Sequence, residues 1–156
     1  MRGRACIAVI GAGSCDESQA AVAEEVGRLL ARAGALVVSG GLGGVMAAAC
    51  RGAKVEGGTT LALLPGLDRD DANEWVDVAV PTGLGEARNV LVIRAADAVI
   101  AIGGEFGTLS EIGFALKTGK LVVGLGTWEL PQRPNAIRGA SSAAEAVSLA
   151  LTRPKR

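Results

Sequence analysis

Histidine and tyrosine are absent from this sequence, and their absence removes several classes of chemistry. Without histidine there can be no Ser-His-Asp triad, no Cys-His nucleophile pair and no histidine-ligated metal centre. Acid–base catalysis would therefore fall to carboxylates, lysine or cysteine. Aromatic residues make up only 3% of the chain, whereas glycine occurs 23 times. We therefore expect helices and strands to approach one another closely through small side chains.

Cysteine is sparse, and charge of either sign is not in excess. Cys6, Cys15 and Cys50 form no CxxC motif, and an odd number of cysteines cannot all pair. This usage is typical of a reducing cytosol, so we expect a cytoplasmic protein. No apolar run reaches the ~18 residues that a membrane span requires, which predicts no membrane association. The 16 acidic residues balance the 16 basic ones, so the basic surface of a nucleic-acid binder is not expected.

The order of apolar runs and helix-periodic segments predicts the fold. Short strand-like runs alternate with helical segments over glycine-rich turns, which indicates an α/β fold with a doubly wound, mostly parallel sheet and helices on both faces. The length of 156 residues suits one domain over residues 1–152, followed by a basic tail at 153–156 that we expect to fray. Strands are expected at 5–10, 35–38, 59–64, 75–80, 98–102 and 121–125. Helices are expected at 14–33, 45–53, 86–96, 108–119 and 142–151, and the segment 127–139 is expected to be irregular.

Three glycine-rich turns follow predicted strands, at residues 11–13, 40–44 and 103–107. In a doubly wound sheet such turns meet beyond the carboxyl ends of the strands, where ligands bind. The last turn leads into a helix, whose N-terminus carries about half a positive charge and exposes backbone N–H groups to an anion. We therefore expect a phosphate there, although each turn could also simply reverse the chain. The candidate phosphate- and nucleotide-binding residues are Gly11, Ser14, Gly40, Gly41, Gly43, Gly44, Met46, Gly103, Gly104, Gly107 and Thr108.

The first turn does not complete a dinucleotide-binding motif. Asp16 stands where GxGxxG requires its third glycine, and Ser39 and Gly40 stand where an acid would bind the ribose hydroxyls. The sequence also contains no GxxxxGK[ST] motif. An NAD-dependent enzyme and a P-loop kinase or ATPase are therefore disfavoured.

Three motifs in order resemble the LOG ("lonely guy") family, formerly described as possible lysine decarboxylases. They are SGGLGGVM from Ser39, Arg88 nine residues before Asp97, and GEFGTLSE from Gly104. The resemblance extends over nearly the whole chain. It implies a Rossmann-like nucleotide-binding fold and a homodimer or higher homo-oligomer, with the site near the subunit interface.

The resemblance also implies an activity. Active members hydrolyse the N-glycosidic bond of nucleoside 5′-monophosphates and release the base and ribose 5-phosphate. By position, Arg88 and Glu111 would be the catalytic pair, while Gly104, Gly107 and Thr108 would hold the phosphate. A carboxylate such as Glu111 could stabilise an oxocarbenium-like state or orient water. Alternatively, Thr108 and Glu111 have capping-box spacing, so Glu111 could serve only to begin the helix.

Three departures from the family signature favour a second interpretation. Gly103 replaces the signature proline, Glu105 replaces the second glycine and Asn89 replaces the lysine after the arginine. Glu105 adds negative charge where a phosphate would approach. The pattern is closer to a bacterial side branch of the SLOG superfamily, whose relatives include molybdenum-cofactor carrier proteins.

Two functions therefore follow as hypotheses. The first is a phosphoribohydrolase; the alternative is a non-catalytic carrier or sensor for a nucleotide or a molybdopterin-type phosphate ligand. Both predict a small phosphorylated ligand, such as a nucleoside monophosphate, and require no metal or other cofactor.

Overall fold

The computed structural model describes residues 3–152, and within them seven strands form one parallel sheet flanked by five α-helices. The strands are β1 (Cys6–Gly11), β2 (Leu36–Ser39), β3 (Thr59–Leu64), β4 (Val78–Pro81), β5 (Ala98–Ile102), β6 (Leu121–Leu125) and β7 (Ile137–Gly139). The helices are α1 (Glu17–Arg32), α2 (Gly44–Val55), α3 (Arg88–Ala95), α4 (Phe106–Lys117) and α5 (Ala143–Leu151). The expected α/β, doubly wound sheet is confirmed.

The order of the strands determines where a ligand can bind. It is β4-β3-β2-β1-β5-β6-β7, so the chain builds outward from β1 in one direction and then returns to build outward from β5 in the other. β1 pairs with β5 in parallel, from Ile7 opposite Ala98 to Gly11 opposite Ile102. After the carboxyl ends of β1 and β5 the chain turns toward opposite faces of the sheet, and this divergence opens a crevice at the switch point.

The core consists of two apolar layers, one on each face of the sheet. All five residues of β5 are buried, as expected for a central parallel strand covered on both faces. One layer lies beneath α1, α2 and α5 and includes Val9, Ile100 and Leu30. The other lies beneath α3 and α4 and includes Ile93 and Ile112.

Helices α1 and α2 touch through their backbones at two glycines. A Cβ atom placed on Gly27 would lie 2.0 Å from the carbonyl oxygen of Ala49. One placed on Gly52 would lie 1.9 Å from the carbonyl oxygen of Glu24. This close approach confirms that small residues bring the elements together, and it fixes the position at which α2 meets the sheet.

Several boundaries differ from those expected. The segment expected to be irregular contains β7, a strand of three residues at the sheet edge. The fourth strand begins at Val78 rather than at residue 75, and it includes Pro81. Proline has no backbone N–H to donate, and within residues 3–152 the outer side of this edge strand has no partner strand that would need one. The helix expected over 86–96 is divided into a 3-10 turn, Gly85–Ala87, and α3.

Helix α1 begins later than expected, with a different cap. We expected Ser14 and Glu17 to form a capping box, but Asp16 is the N-cap and Gln19 its partner. Asp16 Oδ1 accepts from the Gln19 amide at 2.8 Å, and Gln19 Oε1 accepts from the Asp16 amide at 3.4 Å. An aspartate side chain is a strong N-cap. Because the helix begins after Asp16, Ser14 lies outside it. The basic tail at 153–156 lies outside the described residues.

We predict that Gly27→Ala destabilises the protein, because its methyl group would overlap the Ala49 carbonyl. Overpacking of this kind costs about 2 kcal/mol and exceeds the gain in helix propensity. The matched control is Gly113→Ala, which lies on the exposed side of α4 where a Cβ atom meets nothing within 4 Å. Gly113→Ala should raise the free energy of unfolding by about 0.5–1 kcal/mol. Urea denaturation measures both, and equal stability of the two variants would contradict the close helix contact.

Candidate functional site

A cavity of about 400 Å³ lies beyond the carboxyl ends of β1, β2 and β5, at the switch point of the sheet. We call it the Arg88 cavity. Its volume is within the range of small-molecule sites. It is lined by Val9, Ile10, Gly11, Ala12, Gly13, Ser14, Gly40, Met46, Arg88, Asn89, Glu105, Gly107, Thr108 and Glu111.

Arg88 is the first residue of α3, and its side chain is 9% exposed. Its Nε donates to the Leu63 carbonyl at 2.8 Å and its Nη2 to the Gly40 carbonyl at 3.3 Å, while Nη1 donates to Asn89 Oδ1. Three of the five guanidinium N–H groups are therefore occupied by these bonds, and two are left for another acceptor. Gly40 makes room for this arrangement, because a Cβ atom there would lie 2.7 Å from Arg88 Nη2.

The charge of Arg88 has no ion-pair partner among residues 3–152. The ion pairs of the described chain all involve other residues, at the surface around α1, α2 and Asp77. Burial lowers the pKa of the Arg88 guanidinium, and the Glu111 carboxylate opposes that shift. Arginine nevertheless remains protonated in proteins. A buried cation held only by neutral oxygens favours the binding of an anion from outside the chain.

Glu111 lies on α4 and faces the same cavity, half-buried. Burial raises the pKa of its carboxyl to about 7 from the ordinary 4.5, although the Arg88 charge acts in the opposite direction. The carboxyl therefore changes charge near neutral pH. The capping alternative for Glu111 is wrong, because α4 begins at Phe106 with Glu105 as its N-cap. Glu111 thus lies beyond the first turn.

The N-terminus of α4 is open toward the Arg88 cavity. Among the described residues no side chain caps it, in contrast to α1, where Asp16 does. The amides of the first turn, at Phe106, Gly107 and Thr108, have no partner within the helix. Together with the helix dipole, they provide a second attraction for an anion in the cavity that holds Arg88.

The thirteen candidate residues divide into three groups. Eight of the thirteen lie together in the Arg88 cavity: Gly11, Ser14, Gly40, Met46, Arg88, Gly107, Thr108 and Glu111. Gly41, Gly43 and Gly44 do not line it. They serve packing instead: a Cβ atom on Gly44 would lie 2.2 Å from the Ala12 carbonyl oxygen, and one on Gly41 would lie 2.6 Å from the Ala62 side chain.

Gly103 and Gly104 line a second, adjacent cavity of about 530 Å³, which we call the Trp128 cavity. Its lining is Ala12, Ser14, Gln19, Gly103, Gly104, Glu105, Gly126, Thr127, Trp128 and Glu129. Sequence reasoning missed Trp128, because it lies in the segment expected to be irregular. Tryptophan occurs only twice in the chain, and this rarity is the sequence feature that could have drawn attention to Trp128.

Two other kinds of site are absent from residues 3–152. His, Cys, Asp and Glu residues form no group of three or more there that could hold a metal ion. Within the same residues, no helix is both long enough and apolar enough to cross a membrane.

The fold and the cavity at its switch point define a Rossmann-like, ligand-binding protein. The sequence matches the SLOG cluster4 family over residues 4–153, and the chain belongs to that family. The predicted placement in the SLOG superfamily is therefore confirmed, whereas membership of the narrower LOG family is not. An uncharacterized protein of Archaeoglobus fulgidus is 48% identical over 119 residues, which are 76% of this chain and 78% of that protein.

Two solved structures are similar to this chain over nearly its whole length. The molybdenum cofactor binding protein of Rippkaea orientalis is 34% identical, with a TM-score of 0.90 and 96% of each chain covered. The molybdenum cofactor carrier protein of Chlamydomonas reinhardtii is 32% identical, with a TM-score of 0.82 and 94% of this chain and 96% of that chain covered.

We predict that the contribution of Glu111 to the stability of the protein falls as the pH rises from about 4.5 to about 7. The pKa of Glu111 is about 7 in the folded chain against an ordinary 4.5. The folded state therefore retains a proton that the unfolded state releases, and the resulting stabilisation is complete below pH ~4.5 and lost as the pH rises to ~7. We expect a loss of about 2 kcal/mol, below the full linkage value because the carboxyl is partly solvated.

The measurement is urea denaturation at pH 5 and pH 8 for the wild type and Glu111→Gln. The difference in unfolding free energy between the two proteins should change with pH in the stated direction. Parallel pH profiles for the two proteins would contradict the raised pKa.

Proposed function

We propose that this protein is a carrier for a phosphorylated ligand of the molybdenum-cofactor type, which it binds without chemical change. The observation that carries the proposal is the buried Arg88 guanidinium, which has no carboxylate within ion-pair distance among the described residues and opens into the same cavity as the uncapped α4 N-terminus. Both features attract a phosphate, and they occur in a chain closely similar to two proteins named for the molybdenum cofactor.

The ligand's phosphate would lie between Arg88 and the first-turn amides of α4. The two free N–H groups of the guanidinium supply charge-assisted hydrogen bonds, which are the strong kind. Glu111 faces the same space, and its pKa of about 7 means that it can be neutral when the anion enters. A nucleoside monophosphate satisfies the same phosphate chemistry and is the alternative ligand.

The direct test is isothermal titration of the purified protein with molybdenum cofactor, with AMP and GMP in parallel. We expect saturable binding of the cofactor with no product released. The result that would refute the proposal is an absence of measurable affinity for the cofactor and for both nucleotides.

We predict that Arg88→Gln weakens phosphate binding by about 10- to 100-fold, the range expected for losing charged hydrogen bonds of about 1.5–3 kcal/mol. The control is Arg94→Gln on the same helix, where the guanidinium is exposed and stacks 5.2 Å above the Phe114 ring, outside the cavity. The affinity of Arg94→Gln should match that of the wild type. If both variants bind equally well, the anion does not lie at Arg88.

Hydrolysis of nucleoside monophosphates, the first hypothesis from the sequence, has weaker support. The two solved structures described above are named for binding or carrying the molybdenum cofactor, and neither is named for hydrolysis. We therefore predict that AMP incubated with the protein releases no adenine or ribose 5-phosphate above background, as measured by chromatography. Release that disappears in Glu111→Gln would restore the enzymatic interpretation.

The oligomeric state implied by the family resemblance remains a prediction. Val90 on α3 is 40% exposed and Phe106 at the start of α4 is 76% exposed, so both helices present apolar side chains to solvent in the single chain. We propose a homodimer or higher homo-oligomer, and sedimentation velocity measures it.

A further inference from the structure

The Trp128 cavity adjoins the Arg88 cavity, and its chemistry is different. The two cavities share Ala12, Ser14 and Glu105 as lining residues, so a ligand of sufficient length could occupy both. The Arg88 cavity holds a guanidinium together with the carboxylates of Glu105 and Glu111, whereas the described lining of the Trp128 cavity has only the carboxylates of Glu105 and Glu129 as ionisable groups. A phosphate is therefore favoured in the first cavity and disfavoured in the second.

Two of the four aromatic residues of the chain pack together here: Trp128 lines the second cavity, and Phe106 contacts the Trp128 ring. The rings of Phe106 and Trp128 have centroids 5.6 Å apart and planes 32° apart. The Trp128 ring is held in place, because its indole N–H donates to the Glu105 carbonyl at 3.2 Å. Phe106 is 76% exposed, an unusual environment for a large aromatic side chain. Planar aromatic surfaces at a cavity edge favour stacking with a planar ligand ring.

The polar groups of the cavity favour a ring that carries N–H donors. The carboxylates of Glu105 and Glu129 can only accept hydrogen bonds when ionised. The Thr127 hydroxyl is already used, since it donates to the Gly103 carbonyl at 2.6 Å. Gln19 Oε1 is used in capping α1, which leaves the amide N–H groups of that side chain for a ring carbonyl or nitrogen.

We propose that the Trp128 cavity binds the flat, amino-substituted nitrogen ring of the ligand whose phosphate lies at Arg88, with Trp128 as its stacking surface. This inference rests on the proposed function and extends it. A pterin and a guanine share this ring chemistry, because both carry an amino group beside a ring nitrogen and a carbonyl. Glu105, which departs from the LOG signature, thereby acquires a role in selecting the ring.

The test compares probes with and without the ring. Neopterin phosphate carries a pterin ring and GMP carries a guanine ring, whereas ribose 5-phosphate has no such ring. We expect Trp128→Ala to weaken the binding of at least one ring-bearing probe about tenfold, as for the loss of a base-stacking aromatic residue, and to leave ribose 5-phosphate binding unchanged. Phe106→Ala should act in the same direction. Because Phe106 is exposed, its truncation spares the core and keeps the test valid if Trp128→Ala folds poorly.

Tryptophan fluorescence gives an independent measurement. Trp75 lines neither cavity, and its carbonyl accepts from Thr60 Oγ1 beside the amino end of β3. In a Trp75→Phe background, Trp128 is the only tryptophan. Its emission should be quenched saturably by a ring-bearing probe and not by ribose 5-phosphate.

Two outcomes would overturn the inference while leaving the proposed function intact. In one, a ring-bearing probe binds equally well to the wild type, Trp128→Ala and Phe106→Ala. In the other, ring-bearing probes bind no more tightly than ribose 5-phosphate. The absence of binding by any of the three probes would instead count against both proposals.

Discussion

The candidate site depends on one buried charge. Arg88 brings a guanidinium into the interior, where only the carbonyls of Gly40 and Leu63 and the side chain of Asn89 hydrogen-bond to it within the described chain. Burying a cation without a paired anion is unfavourable in free energy, and this unfavourable arrangement lies at the switch point of the sheet. Gly40 lacks a side chain so that the guanidinium fits, and α3 begins at Arg88 itself. These features are expected if an anion completes the arrangement.

Several glycines affect the Arg88 cavity indirectly, because they allow neighbouring elements to pack closely. Gly27 and Gly52 allow α1 and α2 to touch, and Gly44 allows the start of α2 to approach the loop after β1. Strands β1 and β2 are neighbours in the sheet, and the residues that follow them form one wall of the Arg88 cavity. The helix on the other wall, α4, presents an uncapped N-terminus and Glu111. The glycines that allow close packing are therefore not the glycines that line the cavity, although both kinds occur in similar glycine-rich runs of the sequence.

The sequence was sufficient for the architecture because apolar runs and glycine turns alternate clearly. Strands β3, β5 and β6 have the bounds that were expected. Strand β7 could not be predicted, since a strand of three residues has too little periodicity to stand out among Trp128, Pro131 and Pro134. For the same reason the position of Trp128 beside a cavity was not visible.

The motifs include several residues that line the Arg88 cavity, but they missed Trp128, which lines the adjacent cavity through tertiary contacts alone. The family resemblance placed Arg88 and Glu111 together, and the structure brings both into one cavity. It could not distinguish Gly40, which faces that cavity, from Gly41 and Gly44, which pack against backbone and core. Capping residues were also ambiguous, because Ser14 and Thr108 have the right spacing but Asp16 and Glu105 occupy the N-cap positions.

A crystal structure with a phosphorylated ligand bound would test the central claim most directly. The account predicts that a phosphate oxygen lies within hydrogen-bond distance of Arg88 Nη1 or Nη2 and of an amide in the first turn of α4. A phosphate bound elsewhere, with the Arg88 guanidinium turned to a carboxylate of the protein, would contradict it.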